Sequence, residues 1–323
     1  MDSTLRRTWA EIDMDALAHN YETLRKRIGE NVKFLGVVKA DAYGHGSVQV
    51  SRLLQESGAD YLAVSSIDEA VELRHNGITM PVLILGHTPK EEVSELIKNN
   101  ITQAVTCRAK ALEYSEEAVK CGGTLKIHIK VDSYTKHQFE LFTSVIDEVE
   151  KKLGKKFKIR HCANTGAVAR YPETWLDMVR PGLLLYGYGD FAQELGLKPV
   201  MSLKTTVSTI KTYPAGTAIS YGGIYKTDRK TRMGVVPYGY ADGYFRCLSN
   251  RYELMTEEGP APQRGKICMD MCMIDLTDKM NVDVGSEVEI FGKANPIEHM
   301  AQLAGTIPYE LTCAVSKRVP RMY

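Results

Sequence analysis

An α/β domain followed by a mainly β domain is the architecture this sequence predicts, and three observations predict it. From residue 33 to about 189, short apolar runs alternate with amphipathic segments at strand–helix spacing. Beyond about residue 194 the helical rhythm gives way to β-patterned runs separated by Gly and Pro turns. The length, 323 residues, exceeds what one small core accommodates.

The first domain is read strand by strand. Apolar runs fall at 33–40, 61–65, 81–86, 103–106, 125–131, 158–162 and 183–187, and several lack any polar alternation. Continuous apolar character suits strands covered on both faces, as in a parallel sheet. Helix starts are marked by Ser66-Ile67-Asp68-Glu69 and Thr88-Pro89-Lys90-Glu91, both capping-box patterns, the second with proline at the first helical position. After Lys136, Phe139, Phe142, Val145, Ile146 and Val149 recur at helical spacing and predict a buried stripe. Such units build either a (β/α)8 barrel or a doubly wound sheet. Seven strands are counted, not eight, and Lys130-Val131-Asp132 runs almost directly into the next helix. Two parallel strands need a crossover of about a dozen residues, so one unit is missing between Asp132 and Ser133, and the run at 183–187 takes the eighth place. In the second domain β-structure is expected at 202–212, 232–237, 267–276 and 286–291, with Pro260-Ala261-Pro262 in a loop.

Composition excludes several classes of function. The net charge is +1 and the charges are scattered, which argues against a nucleic-acid partner. The one basic run, Lys151, Lys152, Lys155, Lys156 and Lys158, reads as a solvated helix end. No apolar run reaches the length of a membrane span and the first residues lack a signal-peptide core, so a cytoplasmic protein, or the cytoplasmic domain of a membrane protein, is expected. Seven cysteines, an odd number, are expected to be reduced and packed (Cys107, Cys162, Cys268 and Cys313 lie in strand-like or helical runs). Cys268 and Cys272 have no companions at metal-ligand spacing, so no metal is expected.

The chemistry centres on VKADAYGHG, residues 38–46, where an apolar strand closes on Lys39. Three readings compete there: a snorkelling lysine, a Schiff-base lysine at a barrel mouth, and a contact to a phosphate or carboxylate. Position alone does not choose among them.

The surrounding words resemble the alanine racemase family. VVKADAYGHG resembles its pyridoxal-phosphate lysine motif. RTWAEIDMDALAHNY (7–21), HCANTGA (161–167), MVRPGLLLYG (178–187), AISYGGIY (218–225), PYGYADGY (237–244), GKICMDMCMIDLT (265–277) and IPYELTCAVSKRVPR (307–321) resemble its other motifs, in order. The resemblance implies a (β/α)8 barrel over 1–193, short of one βα unit, and a mainly β domain over 194–323 that lends the second base to a partner subunit. It also implies pyridoxal 5'-phosphate as cofactor and a homodimer with shared sites.

Lys39 then resembles the residue that holds the cofactor and acts as one base, and Tyr221 the base on the other face. Arg180 resembles the arginine that faces the pyridine nitrogen, and His161 the histidine that positions it. Tyr43, Thr165, Gly182, Leu183 and Tyr309 match phosphate-side positions. Met269 and Asp270 match substrate-pocket positions given by the partner, and Tyr240 and Tyr309 the gate that keeps substrates small. Two bases on opposite faces are what racemisation requires, since a single fixed base tends to preserve configuration.

The likeness fails in one place. The family lysine corresponding to Lys130 is often carbamylated and pairs with an arginine after a Thr-Gly-Met sequence; here Asp132 is followed by Ser133-Tyr134-Thr135-Lys136. The following strand, with a histidine facing the cofactor, is missing too. The resemblance implies interconversion of L- and D-alanine. Alternatives are a serine racemase of the same family, as the catalytic domain of a larger protein, and a non-catalytic pyridoxal-phosphate barrel. Tyr221 and the Cys268-Met269-Asp270 segment argue against the last.

Overall fold

A computed structural model of the chain describes residues 7–129 and 136–323. Lys130, the expected seam between Asp132 and Ser133, and any modification of that lysine lie outside the described residues. The chain divides into two units, one of residues Asp15–Lys198 and one of Met1–Met14 with Pro199–Tyr323. The sequence placed the first residues with the α/β domain. The reason for the difference is β1 (Thr8–Ile12), which pairs antiparallel with β8 (Met201–Thr206), Ala10 opposite Leu203.

The α/β unit is a curled parallel sheet. Its strands are β2 (Lys33–Val37), β3 (Tyr61–Val64), β4 (Val82–Ile84), β5 (Ile101–Val105), β6 (Ile127–Ile129) and β7 (Met178–Val179), hydrogen-bonded in the order β6-β5-β4-β3-β2-β7. Every pairing is parallel, and β7 meets β2 with Lys33 beside Met178. The expected closed barrel is therefore present as a half-barrel, with β6 and β7 at its edges among the described residues.

Two strand expectations are corrected. Residues 158–162 form no strand, and Leu183–Tyr186 is a 3-10 turn whose four side chains are all buried. The short strand near them is β7 instead. An apolar run of four or five residues has no period that separates a buried strand from a buried turn. Lys39 is not the last residue of a strand either, because β2 ends at Val37.

Helices pack against the sheet. The helix Ser47–Glu56 lies close on β2, for a Cβ at Gly36 would stand 2.6 Å from Leu54 Cδ1. In the helix Lys136–Leu153, Phe142 and Ile146 are buried with Phe139 packed beside them, as the stripe predicts. The second capping box does not form: Thr88 is buried and donates to Gln103 Oε1 at 2.6 Å, and the turn Lys90–Glu92 starts behind Pro89 without a side-chain cap. No described helix is long and apolar enough to cross a membrane. None of the seven cysteines is in a disulfide, but four of them, Cys107, Cys121, Cys247 and Cys313, are exposed where packing was expected.

The second unit holds β8, β9 (Thr209–Tyr213), β10 (Ala218–Ile219), β11 (Tyr225–Lys226), β12 (Thr231–Val236), β13 (Glu253–Thr256), β14 (Gly259–Arg264), β15 (Cys272–Asp275), β16 (Glu287–Phe291) and β17 (Arg321–Met322). Its nine-stranded sheet runs β17-β1-β8-β16-β13-β14-β15-β12-β9, while β10 and β11 pair separately. Pro260 and Pro262 belong to β14 and not to a loop. They face Met255 and Glu253 of β13, while β15 joins β14 only at Gln263 and Arg264. The prolines thus occupy the stretch with one neighbour, where a missing N–H costs no ladder bond.

Candidate active site

VKADAYGHG folds into a rare conformation. Ala40, Asp41, Ala42 and Tyr43 all have φ between 52° and 54°, followed by Gly44 at 84° and Gly46 at 95°. Four consecutive L-residues in a left-handed turn cost roughly 1–2 kcal/mol each. Such strain persists only where surrounding contacts over-determine it. Here Ala42 N donates to Val38 O at 2.9 Å and Gly46 N to Asp41 O at 3.0 Å. Asp41 Oδ1 accepts from Ser47 N at 2.7 Å, starting the next helix. Glu69 supplies the outside anchor: its two carboxylate oxygens accept from Ala40 N at 2.8 Å and Ser65 N at 2.7 Å. The first capping box is therefore only half formed. Ser66 Oγ accepts from Glu69 N at 3.4 Å, but Glu69 reaches across to the Lys39 turn instead of back to Ser66.

Aromatic packing supports the turn from below. His45 is fully buried, with its ring 4.5 Å from that of Tyr186, and Tyr43 meets Tyr186 edge-on at 5.3 Å. Tyr186 in turn donates its hydroxyl to Val37 O at 2.8 Å. His45 Nδ1 lies 2.8 Å from Ala42 O and 3.1 Å from Tyr43 O, so that nitrogen carries the ring proton. Lys39, half-buried, stands where the strand leaves the sheet and the backbone changes hand.

The residues after β7 form a second cluster in the same unit. Arg180 follows Val179 directly, at the end of β7, which pairs with the strand β2 that leads to Lys39. Its Nη1 is 2.9 Å from His161 Nδ1 and its Nη2 donates to Cys162 O at 3.2 Å. Burial, with Arg180 second, pushes the His161 imidazole well below its ordinary value. Thr165 Oγ1 accepts from Gly182 N at 3.0 Å and Leu183 N at 3.1 Å. The structure thus gathers His161 with Arg180, and Thr165 with Gly182 and Leu183, into two hydrogen-bonded groups after β7, and places Lys39 and Tyr43 in the turn that follows the adjacent strand β2.

The second unit organises the remaining candidates around residues 265–271. Tyr221 opens a 3-10 turn and is 71% exposed. Ser220 before it has φ 63° and ψ −178°, a region that glycine alone adopts readily. Ser220 Oγ donates to Lys266 O at 2.7 Å, which holds the turn. Tyr240 N donates to Cys268 O and Ala241 N to Met269 O, both at 3.0 Å. Tyr221, Tyr240 and Met269 consequently project from three loops that are pinned together, and all three are exposed. Asp270 is fixed by Arg318, 2.9 Å from its Oδ1, and by Arg7, which donates to its carbonyl at 2.6 Å. Both arginines also bind the buried Asp242, at 2.6 Å and 3.2 Å. Tyr309 is half-buried in the helix Pro308–Ala314.

Glu69 and Ser220 take part in these arrangements and were not anticipated, nor was His128, whose Nδ1 lies 3.3 Å from His161 Nε2. Glu69 was read as a cap, and nothing in its spacing signals a reach to residue 40. His128 sits inside an apolar strand, where a satisfied core histidine is the default.

Comparison with known proteins finds consistent likenesses. The alanine racemase N-terminal domain model matches residues 12–134 and 132–190, and the alanine racemase C-terminal domain model residues 200–323. Alanine racemase 1 of Clostridium acetobutylicum is 40% identical over 371 residues, covering 99% of this chain and 96% of that one. Alanine racemase 2 of Caldanaerobacter subterraneus is 37% identical over 374 residues, covering 100% and 96%. Among solved structures, alanine racemase of Clostridium difficile in complex with cycloserine superposes with a TM-score of 0.90 at 34% identity, covering 98% of this chain and 95% of that chain. An alignment of 374 positions over a chain of 323 leaves 51 without a counterpart, and the N-terminal match breaks at residues 132–134.

Proposed function

The chain belongs to the alanine racemase family, and from that premise we propose that Lys39 and Tyr221 are its two bases in the interconversion of L- and D-alanine. The observation that carries the reading is the left-handed turn behind Lys39. Its strain is held by Asp41, Glu69 and the Tyr186 platform, and a strained backbone locked from several sides is what an accurately placed reactive side chain needs.

The group the family uses is pyridoxal 5'-phosphate, and the donors present suit it. Thr165 Oγ1 takes two backbone N–H groups as acceptor, so its own hydrogen remains to be given to an anion. Arg180 is a permanent donor that cannot give up its proton, so a ring nitrogen opposite it stays unprotonated. Tyr43, Gly182, Leu183 and Tyr309 complete the phosphate side in this reading, with Lys39 as the covalent attachment. Bound there, pyridoxal phosphate supplies a conjugated electron-withdrawing ring that acidifies the Cα–H of an attached amino acid.

The chain's own residues then move the proton. Lys39 Nζ takes it from one face of the α-carbon, and the Tyr221 hydroxyl returns one to the other. Exchanging the two roles gives the reverse reaction. Arg180, with no proton to give, would leave a ring held against it a weaker sink for electrons, which disfavours transamination. Met269 and Asp270 receive the substrate, and Tyr240 and Tyr309 close the space above it to side chains larger than a methyl group.

Tyr221 is exposed and lies in a different unit from Lys39, which supports a homodimer in which each site takes Lys39 from one protomer and Tyr221 from its partner. The test is complementation between Lys39→Ala and Tyr221→Phe chains, each inactive alone. Refolded together they should regain racemisation, because one site per heterodimer keeps both bases. Confirmed heterodimers with no activity would sink the shared site.

A further inference from the structure

Arg180 does not end its hydrogen-bond chain at His161. His161 Nε2 lies 3.3 Å from His128 Nδ1, and the two rings stand 4.5 Å apart with their planes inclined by 39°. His128 is the middle residue of β6, the edge strand, whose flanking Ile127 and Ile129 are 49% and 48% exposed. Alternation along the strand therefore turns His128 the other way, toward the buried His161.

We propose that His128 is a positioning residue for Arg180, acting through His161 by fixing which of its nitrogens carries the proton. A guanidinium has only donors, so the His161 Nδ1 that faces Arg180 at 2.9 Å must be the unprotonated nitrogen. In the neutral ring the proton is then on Nε2, which donates to His128 Nδ1. His128, accepting at Nδ1, carries its own proton on Nε2. The order Arg180→His161→His128 is thus a one-way chain, and each member's orientation is set by the next. Burial and the neighbouring guanidinium both keep His161 uncharged, as the chain requires. Without an acceptor at His128, the Nδ1–H form of His161 becomes accessible. That form points a donor at a donor and pushes Arg180 aside. No other residue described above offers His161 Nε2 a partner, and the interaction is made across the edge where the family match breaks.

The inference rests on the reading of Arg180 for its effect on turnover, but the tautomer is a property of the chain alone. The test labels the full chain with 15N-histidine and assigns His161 by its loss in His161→Asn. At pH 7 the wild-type spectrum should show His161 protonated at Nε2 and bare at Nδ1. A ring protonated at Nδ1, or at both nitrogens, overturns the proposal without any further variant. In His128→Phe the two His161 nitrogens should lose their distinct signals and become averaged. In His128→Asn, whose Oδ1 stands in place of the imidazole Nδ1, they should separate again. Unchanged His161 signals in a folded His128→Phe chain overturn the proposal; if that chain fails to fold, averaged signals in His128→Asn do so instead. For turnover, kcat should fall by roughly fivefold in His128→Phe, the weight of one hydrogen bond, with the KM for alanine unchanged and kcat rescued by His128→Asn. An unchanged kcat in an active enzyme counts against the positioning role. No racemisation at all counts against the proposed function, while the spectra still decide the tautomer.

Discussion

At the scale of single residues, the strain behind Lys39 makes an unusual prediction about alanine. Ala40 is exposed, sits at φ 52°, and has a backbone N–H held by Glu69. Glycine adopts that conformation without the Cβ penalty, although it also loosens the unfolded chain. The left-handed cost of ~1–2 kcal/mol exceeds the ordinary Ala-to-Gly loss of ~0.5–1 kcal/mol, so Ala40→Gly should stabilise the protein slightly. Urea unfolding measures it, and a clear fall in the midpoint would mean that the turn is not left-handed in solution. Removing the anchor has the opposite sign. Glu69→Ala strands two backbone N–H groups near the surface and should cost about 2 kcal/mol, with Glu69→Gln losing less because one acceptor oxygen remains. Equal losses for the two variants would show that the carboxylate is not the anchor. Lys39 itself was legible in the sequence because its neighbours form a specific word. Glu69 was not, since a contact spanning 29 positions leaves no local pattern.

At the scale of elements, alternation and period carried most of the fold but failed where runs were short or tertiary pairing overrode local rules. The helix Lys136–Leu153 has the stripe that 3.6-residue spacing predicts. The run at 183–187 has no such period and became a turn, while two prolines entered β14 because its first four residues pair with β13 alone. The Tyr221 turn depends in the same way on a neighbour: a Cβ at Gly265, whose φ is +78°, would stand 2.7 Å from Ser220 Cβ and 2.8 Å from Ile219 O. Gly265→Ala should therefore cost about 2 kcal/mol or more and displace Tyr221, lowering kcat while leaving the proposed cofactor residues Lys39, Thr165 and Arg180 undisturbed. Cofactor affinity and kcat falling together would contradict that separation.

A pH effect belongs at this scale too. The Arg160 side chain, hydrogen-bonded to Asp177 at 3.0 Å, holds that carboxyl below its usual range and ties two ends of the irregular segment between Lys136–Leu153 and β7. A carboxylate depressed in the folded state stabilises it fully above the unfolded value, near 4, and loses that contribution as pH falls through the lower folded value. Asp177→Asn should thus be less stable than wild type at pH 7, and the difference should shrink below pH 4 in thermal melts. A gap that widens on acidification would give the wrong sign.

At the scale of the whole molecule, the described parallel sheet ends at β6, just before the break in the family match. Among the described residues β6 pairs only with β5, and the isoleucines flanking His128 are half exposed on an open edge. An edge of this kind invites pairing or aggregation unless something covers it. The strand count read from the sequence and the break in the family match at 132–134 point to the same seam. The resemblance also puts an arginine and a histidine of the site in that stretch, so the chain should racemise alanine more slowly than its relatives. Grafting the corresponding segment of Clostridium acetobutylicum alanine racemase 1 between Asp132 and Ser133 tests both consequences. Fully burying an isoleucine is worth ~1.5–3 kcal/mol, so covering two half-exposed ones should add about 2 kcal/mol. For a unit of the size of Asp15–Lys198 that raises its Tm by roughly 4–8 °C. With the site completed, kcat should rise together with Tm. A graft that leaves both unchanged would mean that the half-barrel is self-sufficient and that the seam is a tolerated end to the sheet.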